Sequence, residues 1–327
     1  MEALLEVLNL SVRYRSGRGA DVFALTDTSF RIAPGEVVGV LGESGSGKST
    51  LAASLLTMTP PNGIITAGEI LFEGENLQKF DRRELARVRG KRISLIFQEP
   101  SVALHPTLRA GVQVEEVLRA HGAQDKNHRQ RAASELFELI FQSDARRIYS
   151  SYPHQLSGGQ RQRVATAQAI VCKPSLLIAD EPTASLDSVT RSEILDLFKR
   201  LQKELNLAIL FITHSPDLLV GFADRIIVLY AGRIVEIGSA QEVLDEPSHP
   251  YTRMLLSCRP RLQPAYDVRP DPRLPVIPGD PPDLSAVAVG CAFEPRCPAR
   301  MEICRERIPE FSTAAGGGQV RCFKFGG

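Results

Sequence analysis

Gly42-Glu43-Ser44-Gly45-Ser46-Gly47-Lys48-Ser49-Thr50 fits the pattern G-x-x-x-x-G-K-[ST] at every fixed position. The apolar run Val37 to Leu41 comes just before it and the helix-compatible run Leu51 to Leu56 follows. That is the strand, loop and helix context the pattern needs before it is believed. The physics is local. Glycines let backbone N–H groups turn inward onto phosphate oxygens, the following helix points its positive end at them, and Lys48 adds a mobile charge. Gly42, Ser44, Gly45, Gly47, Lys48, Ser49 and Thr50 therefore form a phosphate cradle, with Ser49 placed to ligate Mg²⁺.

Upstream of the cradle, Leu8, Leu10, Val12 and Tyr14 alternate with polar residues over Leu5 to Tyr14, as in a half-buried strand. Thr28 to Ile32 reads as a second alternating strand, and Pro34-Gly35 turns the chain into the cradle strand. Together they suggest an antiparallel edge layer. Tyr14 is an aromatic that can stack on an adenine ring, with Phe23 as the competing candidate and a packed strand residue as the plain alternative.

Downstream, Gly68 to Phe72 and Ile93 to Phe97 read as strands, the second ending at the junction residue Gln98. From Ser101 to Tyr149 the apolar spacing is helical (Val114, Val117, Leu118; Leu136, Leu139, Ile140), which predicts an inserted helical subdomain. The charges of Lys126 to Arg131 form its solvated face. Leu156-Ser157-Gly158-Gly159-Gln160 precedes a long helical pattern, Arg161 to Val171, and is a second glycine-containing helix start. Leu176-Leu177-Ile178-Ala179-Asp180-Glu181 is a continuous apolar run ending in two carboxylates, the pattern of a strand buried on both faces that delivers a site at its C-terminal edge. Ile194 to Leu205 is an amphipathic helix, Ala208 to Thr213 another buried strand ending at His214, and Ile226 to Tyr230 with Arg233 to Ile237 a closing hairpin.

In P-loop proteins an aspartate at the end of a neighbouring strand holds the Mg²⁺ shell, which assigns Asp180. Glu181 is then free to orient and partly deprotonate water for in-line attack on a γ-phosphate. His214, at the end of another strand, is placed to clamp the γ-phosphate or the water network.

With 327 residues, 43% hydrophobic and 24% charged, the chain can bury a large core and still carry an extension. A net charge of +1 gives no broad attraction to nucleic acid or anionic lipid, so nucleic acid is not an expected partner. No apolar run reaches the 18 or more residues of a membrane span, and Met1 to Glu6 lacks both the basic start and the apolar core of a signal peptide. A cytosolic protein is expected, with cysteines kept reduced or placed on a metal.

The cradle GESGSGKST, Gln98, LSGGQ at Leu156 to Gln160, LLIADEP, SLD at Ser185 to Asp187 and His214 follow the order and rough spacing of the ATP-binding cassette (ABC) ATPases. The resemblance covers about residues 1–258. It implies an α/β P-loop NTPase fold of ABC type: a RecA-like parallel-sheet core, an antiparallel β layer and a helical subdomain at about residues 100–165. It also implies two cassettes that sandwich two ATP molecules. Ser157, Gly158, Gly159 and Gln160 would then sit on the partner's ATP, while Gln98 senses Mg²⁺ with Ser49 and Asp180, and Asp187 lies at the dimer seam. A Ser-Gly-Gly helix start is a sound anion site, and one cassette has no need of two for one nucleotide.

His249-Pro250-Tyr251-Thr252 with Leu255-Leu256, then Pro278-Gly279-Asp280-Pro281-Pro282, then Gly290-Cys291-Ala292-Phe293-Glu294-Pro295-Arg296-Cys297-Pro298 resemble the C-terminal extension of the ATP-binding subunits of oligopeptide, dipeptide and nickel importers. The resemblance implies a second, homologous ABC subunit, two membrane permease subunits and, indirectly, an extracytoplasmic solute-binding protein. It further implies peripheral attachment to the cytoplasmic face of the inner membrane. Gln160 stands where many such subunits carry Met, and Leu104-His105-Pro106 where Leu-Asn-Pro is commoner. Peptide is the expected solute, nickel or another small solute the alternative. Soluble ABC ATPases acting on nucleic acid or ribosomes usually carry paired cassettes or coiled-coil insertions, and this sequence has neither. A metal- or redox-sensing module using the cassette as a switch is a third reading.

Eight of the 22 prolines fall between Arg259 and Asp283, which predicts an extended tether within a 259–327 extension. Beyond it Cys291, Cys297, Cys304 and Cys322 are spaced C-x₅-C-x₆-C-x₁₇-C. Zinc sites usually pair ligands two to four residues apart, whereas iron–sulfur clusters accept broader loops, and Pro298 after Cys297 resembles the arrangement in ferredoxins. The residues leave cluster, zinc or no metal open, and the resemblance favours a [4Fe–4S] cluster. A bound metal would then order a proline-rich tail that has little core of its own. Cys172 and Cys258 read as ordinary thiols.

Overall fold

The computed structural model describes residues 3–17, 19–99, 103–258, 276–285, 289–314 and 316–326. The chain opens with two long antiparallel strands, β1 (Leu5–Tyr14) and β2 (Val22–Ile32). It then turns at Gly35 into β3 (Val37–Leu41), all five of whose residues are buried. The helix Lys48–Leu55 follows the cradle. β4 (Gly63–Phe72) and the short β5 (Glu75–Asn76) complete a four-stranded layer of order β2-β1-β4-β5. Of the alternating set read along β1 only Leu10 and Val12 are buried: an irregularity at Asn9, where φ is 48, shifts the phase, so Leu5 and Val7 rather than Leu8 complete the inward face.

The second sheet is built on β3. Its parallel neighbours are β8 (Ala208–Thr213) on one side and β9 (Arg225–Tyr230) on the other. β7 (Leu176–Asp180) and β6 (Ile93–Ile96) continue the parallel run beyond β8. β6 stops one residue short of the expected end because Phe97 is already half exposed and leaves the sheet for the junction. Between Ile96 and Leu176 the described residues form no strand. The helices Ala110–Ala120, Lys126–Phe141, Ala145–Ser150 and Gly158–Ile170 fill that interval, as the helical spacing predicts.

β10 (Arg233–Ser239) pairs antiparallel with β9 across the tight Ala231-Gly232 turn, both of whose residues take positive φ. On its other side β10 pairs with β12 (Gln319–Val320), which in turn holds β11 (Ser312–Thr313). The C-terminal extension is therefore stitched onto the main sheet. Phe293 is 1% exposed and shares one core with Tyr230 and Tyr251, their ring centroids 5.2 and 5.4 Å away. This differs from the expectation of a tail ordered by metal: the extension buries an aromatic anchor and a strand, each a source of stability in its own right. Residues 259–275, the larger part of the proline-rich tether, lie outside the described residues.

His249-Pro250-Tyr251 has a structural reason. His249 caps the helix Pro250–Ser257, its Nδ1 accepting from the Tyr251 N–H at 3.0 Å, with Pro250 at the first helical position. The buried Glu236 carboxylate accepts the N–H groups of Ser248 and His249 at 2.6 and 3.0 Å, which ties β10 to the helix entry. Burial pushes the His249 pKa down to about 3, only partly opposed by a hydrogen bond to the Arg321 backbone. The ring is neutral when folded and gains a proton on unfolding below pH about 6.5, so its contribution is present above that pH and lost as pH falls. Chemical denaturation should report a stability loss of about 2 kcal/mol from this residue between pH 7 and pH 5. His249→Asn, which can still cap, should flatten that dependence, and an unchanged pH profile in the variant refutes the assignment.

Candidate nucleotide-hydrolysing site

The buried strands end together. Because every position of β3, β7 and β8 is buried, the first polar residues after each run emerge at one edge of the sheet. After β3 comes the cradle. Gly47 sits in the left-handed region at φ 105 as the cap of the helix Lys48–Leu55, and no side chain caps that helix. The first amides of the helix thus keep their donors for an anion. A Cβ on Gly42 would lie 2.3 Å from the Leu229 carbonyl oxygen, and one on Gly47 2.5 Å from that of Ala24, so the loop runs where only glycine fits.

Lys48 is buried, and its Nζ donates to the carbonyl oxygens of Gly42 and Glu43, both at 2.8 Å. Burial lowers its pKa, against the opposing pull of Glu181, Asp180 and Glu43. Asp180, the last residue of β7, is buried, and its Oδ1 has no hydrogen-bond partner. The Ser49 hydroxyl hydrogen-bonds to the same carboxylate; burial nonetheless raises the Asp180 pKa, with Glu181 adding to it. An unpartnered buried carboxylate oxygen beside a hydroxyl is the oxygen donor set a small divalent cation takes, so the residues fit Mg²⁺.

Glu181 takes φ 47, in the left-handed region, with its N–H on the Ile212 carbonyl at 3.0 Å. A non-glycine residue there stores strain of roughly 1–3 kcal/mol, and such residues cluster at functional sites. The turn aims the Glu181 side chain across to His214, whose Nδ1 lies 2.6 Å from Oε2. A carboxylate can only accept, so His214 donates through Nδ1, which fixes the tautomer of the neutral ring.

Tyr14, Lys48, Ser49, Gln98, Glu181 and Leu284 line one open cavity of about 320 Å³. The Tyr14 hydroxyl shares a 3.2 Å hydrogen bond with Thr50 Oγ1. Phe23, its competitor, lines a neighbouring cavity instead. Ser157, Gly158, Gly159 and Gln160 do not line the cavity that holds Lys48. Ser157 and Gln160 close a reciprocal cap at the start of the helix Gly158–Ile170, at 3.2 and 3.1 Å. Gly159 permits close packing, since a Cβ there would meet Thr190 Cγ2 at 2.3 Å. Asp187 caps the helix Ser188–Leu205 through the N–H groups of Val189 and Thr190.

All six cysteines are free thiols. Cys291, Cys297, Cys304 and Cys322 lie near one another, and the Cys291 N–H donates to the Cys304 carbonyl at 2.8 Å. Burial pushes the Cys291 thiol up to about 11, its three cysteine neighbours adding to the effect. Among the described residues no group of three or more His, Cys, Asp or Glu side chains stands in an arrangement that could hold a metal ion. The expected four-cysteine ligand arrangement therefore finds no support among the described residues, and burial raises the Cys291, Cys297 and Cys322 thiols, which disfavours their thiolate forms. The residues that sequence reasoning leaves without roles are Tyr251, Leu284 and Arg296, all of which reach toward the cradle from the C-terminal side. Tyr251 and Arg296 lie inside quoted motifs, yet nothing local in those motifs points to the loop they touch.

An edge that joins an anion-holding loop to a carboxylate-oriented imidazole defines a P-loop nucleoside triphosphatase of the ATP-binding-cassette class. Residues 25–184 match the ABC transporter family, and residues 235–304 match the oligopeptide/dipeptide transporter C-terminal region. The chain is 41% identical over 322 residues to the oligopeptide transport ATP-binding protein OppD of Salmonella typhimurium, covering 98% of this chain and 93% of that one. It is likewise 41% identical to OppD of Escherichia coli over 326 residues, covering 99% and 94%. Among solved structures it resembles a dimeric ATP-binding cassette in a post-hydrolysis state bound to ADP and Pi, with TM-score 0.64, 32% identity, and coverage of 72% of this chain and 98% of that one. The chain belongs to the ABC transporter ATP-binding subunits, in their oligopeptide/dipeptide branch.

Gly47→Ala tests the cradle geometry directly. The added methyl meets the Ala24 carbonyl at 2.5 Å in a left-handed backbone, so stability should fall by at least about 1 kcal/mol and nucleotide binding should be lost. A variant with unaltered melting and unaltered nucleotide affinity contradicts the close approach.

Proposed function

We propose that this chain is the ATP-binding and ATP-hydrolysing subunit that energises a membrane importer of di- and oligopeptides. The observation that carries the reading is the gathering of Lys48, Ser49, Asp180, Glu181 and His214 at one sheet edge. The matched transporter C-terminal region and the OppD relatives supply the peptide class. The cradle residues Gly42, Ser44, Gly45, Gly47, Lys48, Ser49 and Thr50 bind the phosphates, and Tyr14 stacks on the adenine. Ser49, Gln98 and Asp180 would hold Mg²⁺, which when bound neutralises charge on the phosphate oxygens. Glu181 orients and takes a proton from the attacking water, and His214, locked by its bond to Glu181, faces the γ-phosphate.

Ser157, Gly158, Gly159 and Gln160 cap a helix away from the chain's own cavity, which supports their use on the ATP of a partner subunit. We assign the partner as a second, homologous ABC subunit, with two membrane permeases completing the importer and a solute-binding protein feeding it. The working place is then the cytoplasmic face of the inner membrane. Among the described residues no helix is long and apolar enough to cross a membrane, which suits attachment through the permeases. Four neighbouring free thiols, of which Cys291, Cys297 and Cys304 fall in the matched C-terminal region and Cys322 beyond it, support a [4Fe–4S] cluster there, with zinc as the competing ion. Holding it requires the thiols to shift and lose their protons.

Glu181→Gln should leave ATP binding intact and cut hydrolysis by roughly 10² to 10⁴, the usual worth of a general base. Near-normal turnover removes Glu181 from that role. Anaerobically purified protein should be brown, absorb broadly near ~400 nm and carry iron. A colourless, iron-free preparation overturns the cluster, and stoichiometric zinc would replace it.

A further inference from the structure

The C-terminal extension reaches into the cradle itself. Arg296, on the turn just before Cys297, is separated from Glu43 by 253 positions in sequence, yet its guanidinium donates to the two Glu43 carboxylate oxygens at 2.9 and 3.2 Å. The arginine side chain is 6% exposed and the glutamate 24%, so the pair is shielded from water. The remaining donors are also used: Nε on the Pro278 carbonyl at 3.0 Å and a terminal nitrogen on the Tyr230 hydroxyl at 3.2 Å. Burial opposes the Arg296 charge, and its partners Glu43 and Tyr230 outweigh that cost, leaving its pKa raised.

Glu43 is held at three points. Its N–H donates to the Tyr251 hydroxyl at 2.9 Å, its carbonyl accepts from Lys48 Nζ at 2.8 Å, and its carboxylate takes the arginine fork. Tyr230 and Tyr251 pack on each other at 4.5 Å and on Phe293 of the extension, so the brace stands on a rigid aromatic cluster. A second contact leads to the same cavity: Leu284 lines it beside Tyr14 and Lys48, and its carbonyl accepts the Phe23 N–H at 2.9 Å.

We infer that Arg296 is a positioning residue for nucleotide binding that acts through Glu43: it neutralises the carboxylate of the peptide that holds Lys48, making the C-terminal extension part of the ATP site. The inference rests on the ATPase reading above. Without the arginine, a carboxylate stands unpaired in the loop that receives a polyanion. Like charges several ångströms apart in a partly buried site repel strongly enough to weaken binding by ten-fold or more. The loss therefore comes from Glu43, and removing the Glu43 charge should restore affinity.

The test is an equilibrium titration of the full chain with trinitrophenyl-ATP, with folding followed by thermal melting. Arg296→Gln should raise Kd by at least about ten-fold, and the double variant with Glu43→Gln should return to within about three-fold of the parent. A structural role for Arg296 predicts the opposite, a double variant as weak as the single one, and that result overturns the inference. So does an Arg296→Gln protein that binds like the parent. Should Arg296→Gln fail to fold, Arg296→Lys keeps the cation without the fork; a rise of about three-fold that Glu43→Gln erases supports the inference, and an unchanged Kd overturns it. A parent protein that does not bind the nucleotide overturns the ATPase reading and this inference together. A parent that binds beside an equally tight Arg296→Gln overturns this inference alone.

Discussion

Everything chemical in this chain depends on burying both faces of three short parallel strands. Val37–Leu41, Leu176–Asp180 and Ala208–Thr213 have no exposed residue, so polar groups can appear only where the strands end. Parallel pairing makes those ends coincide, and each end delivers a different group: anion-holding amides and Lys48, the Asp180 and Glu181 carboxylates, and His214. A register slip of one residue along β7 would bury Glu181 and withdraw Asp180 from Ser49. The hydrophobic core and the polar edge are thus one constraint seen from two sides.

The antiparallel layer and the C-terminal extension both reach that edge, and they touch each other where the Phe23 N–H meets the Leu284 carbonyl. Tyr14 arrives at the end of β1, bonded to Thr50, while Leu284 and Arg296 arrive from the far end of the chain. The extension gains its stability from β12 pairing on β10 and from Phe293 in the main core. The extension thus has anchors of its own, and the cysteines need not order it by themselves.

Much of this was legible in the sequence where chemistry is local. The cradle, the paired carboxylates and His214 each follow an apolar run, so strand, turn and residue type can be read within a few positions of one another. The helical interval between Ile96 and Leu176 was legible for the same reason, since its apolar spacing repeats along one helix at a time. Tyr14 against Phe23 was not: both lie in alternating strands, and the choice depends on which sheet face meets the loop. The Arg296–Glu43 pair lies beyond any local pattern, because nothing near Arg296 marks it as the partner of a residue in the cradle. The cysteine spacing could be read only as far as proximity: the four thiols lie together, but ligation needs them ionised and aimed at one point, which spacing along the chain does not encode.

Glu43 itself shows why the cradle pattern alone underdetermines the site. The consensus leaves that position open, so a carboxylate there costs the motif nothing and could be read as filler. In the folded chain it is an acid in an anion-binding loop, a placement that electrostatics disfavours unless the charge is cancelled nearby. The fold cancels it with a fully engaged guanidinium from the extension and uses the same residue's backbone to hold Lys48 and Tyr251. An apparently unconstrained position thereby becomes the joint between the cassette and its C-terminal region. The extension's matched sequence and the cradle's open position have to be read together for either to make physical sense.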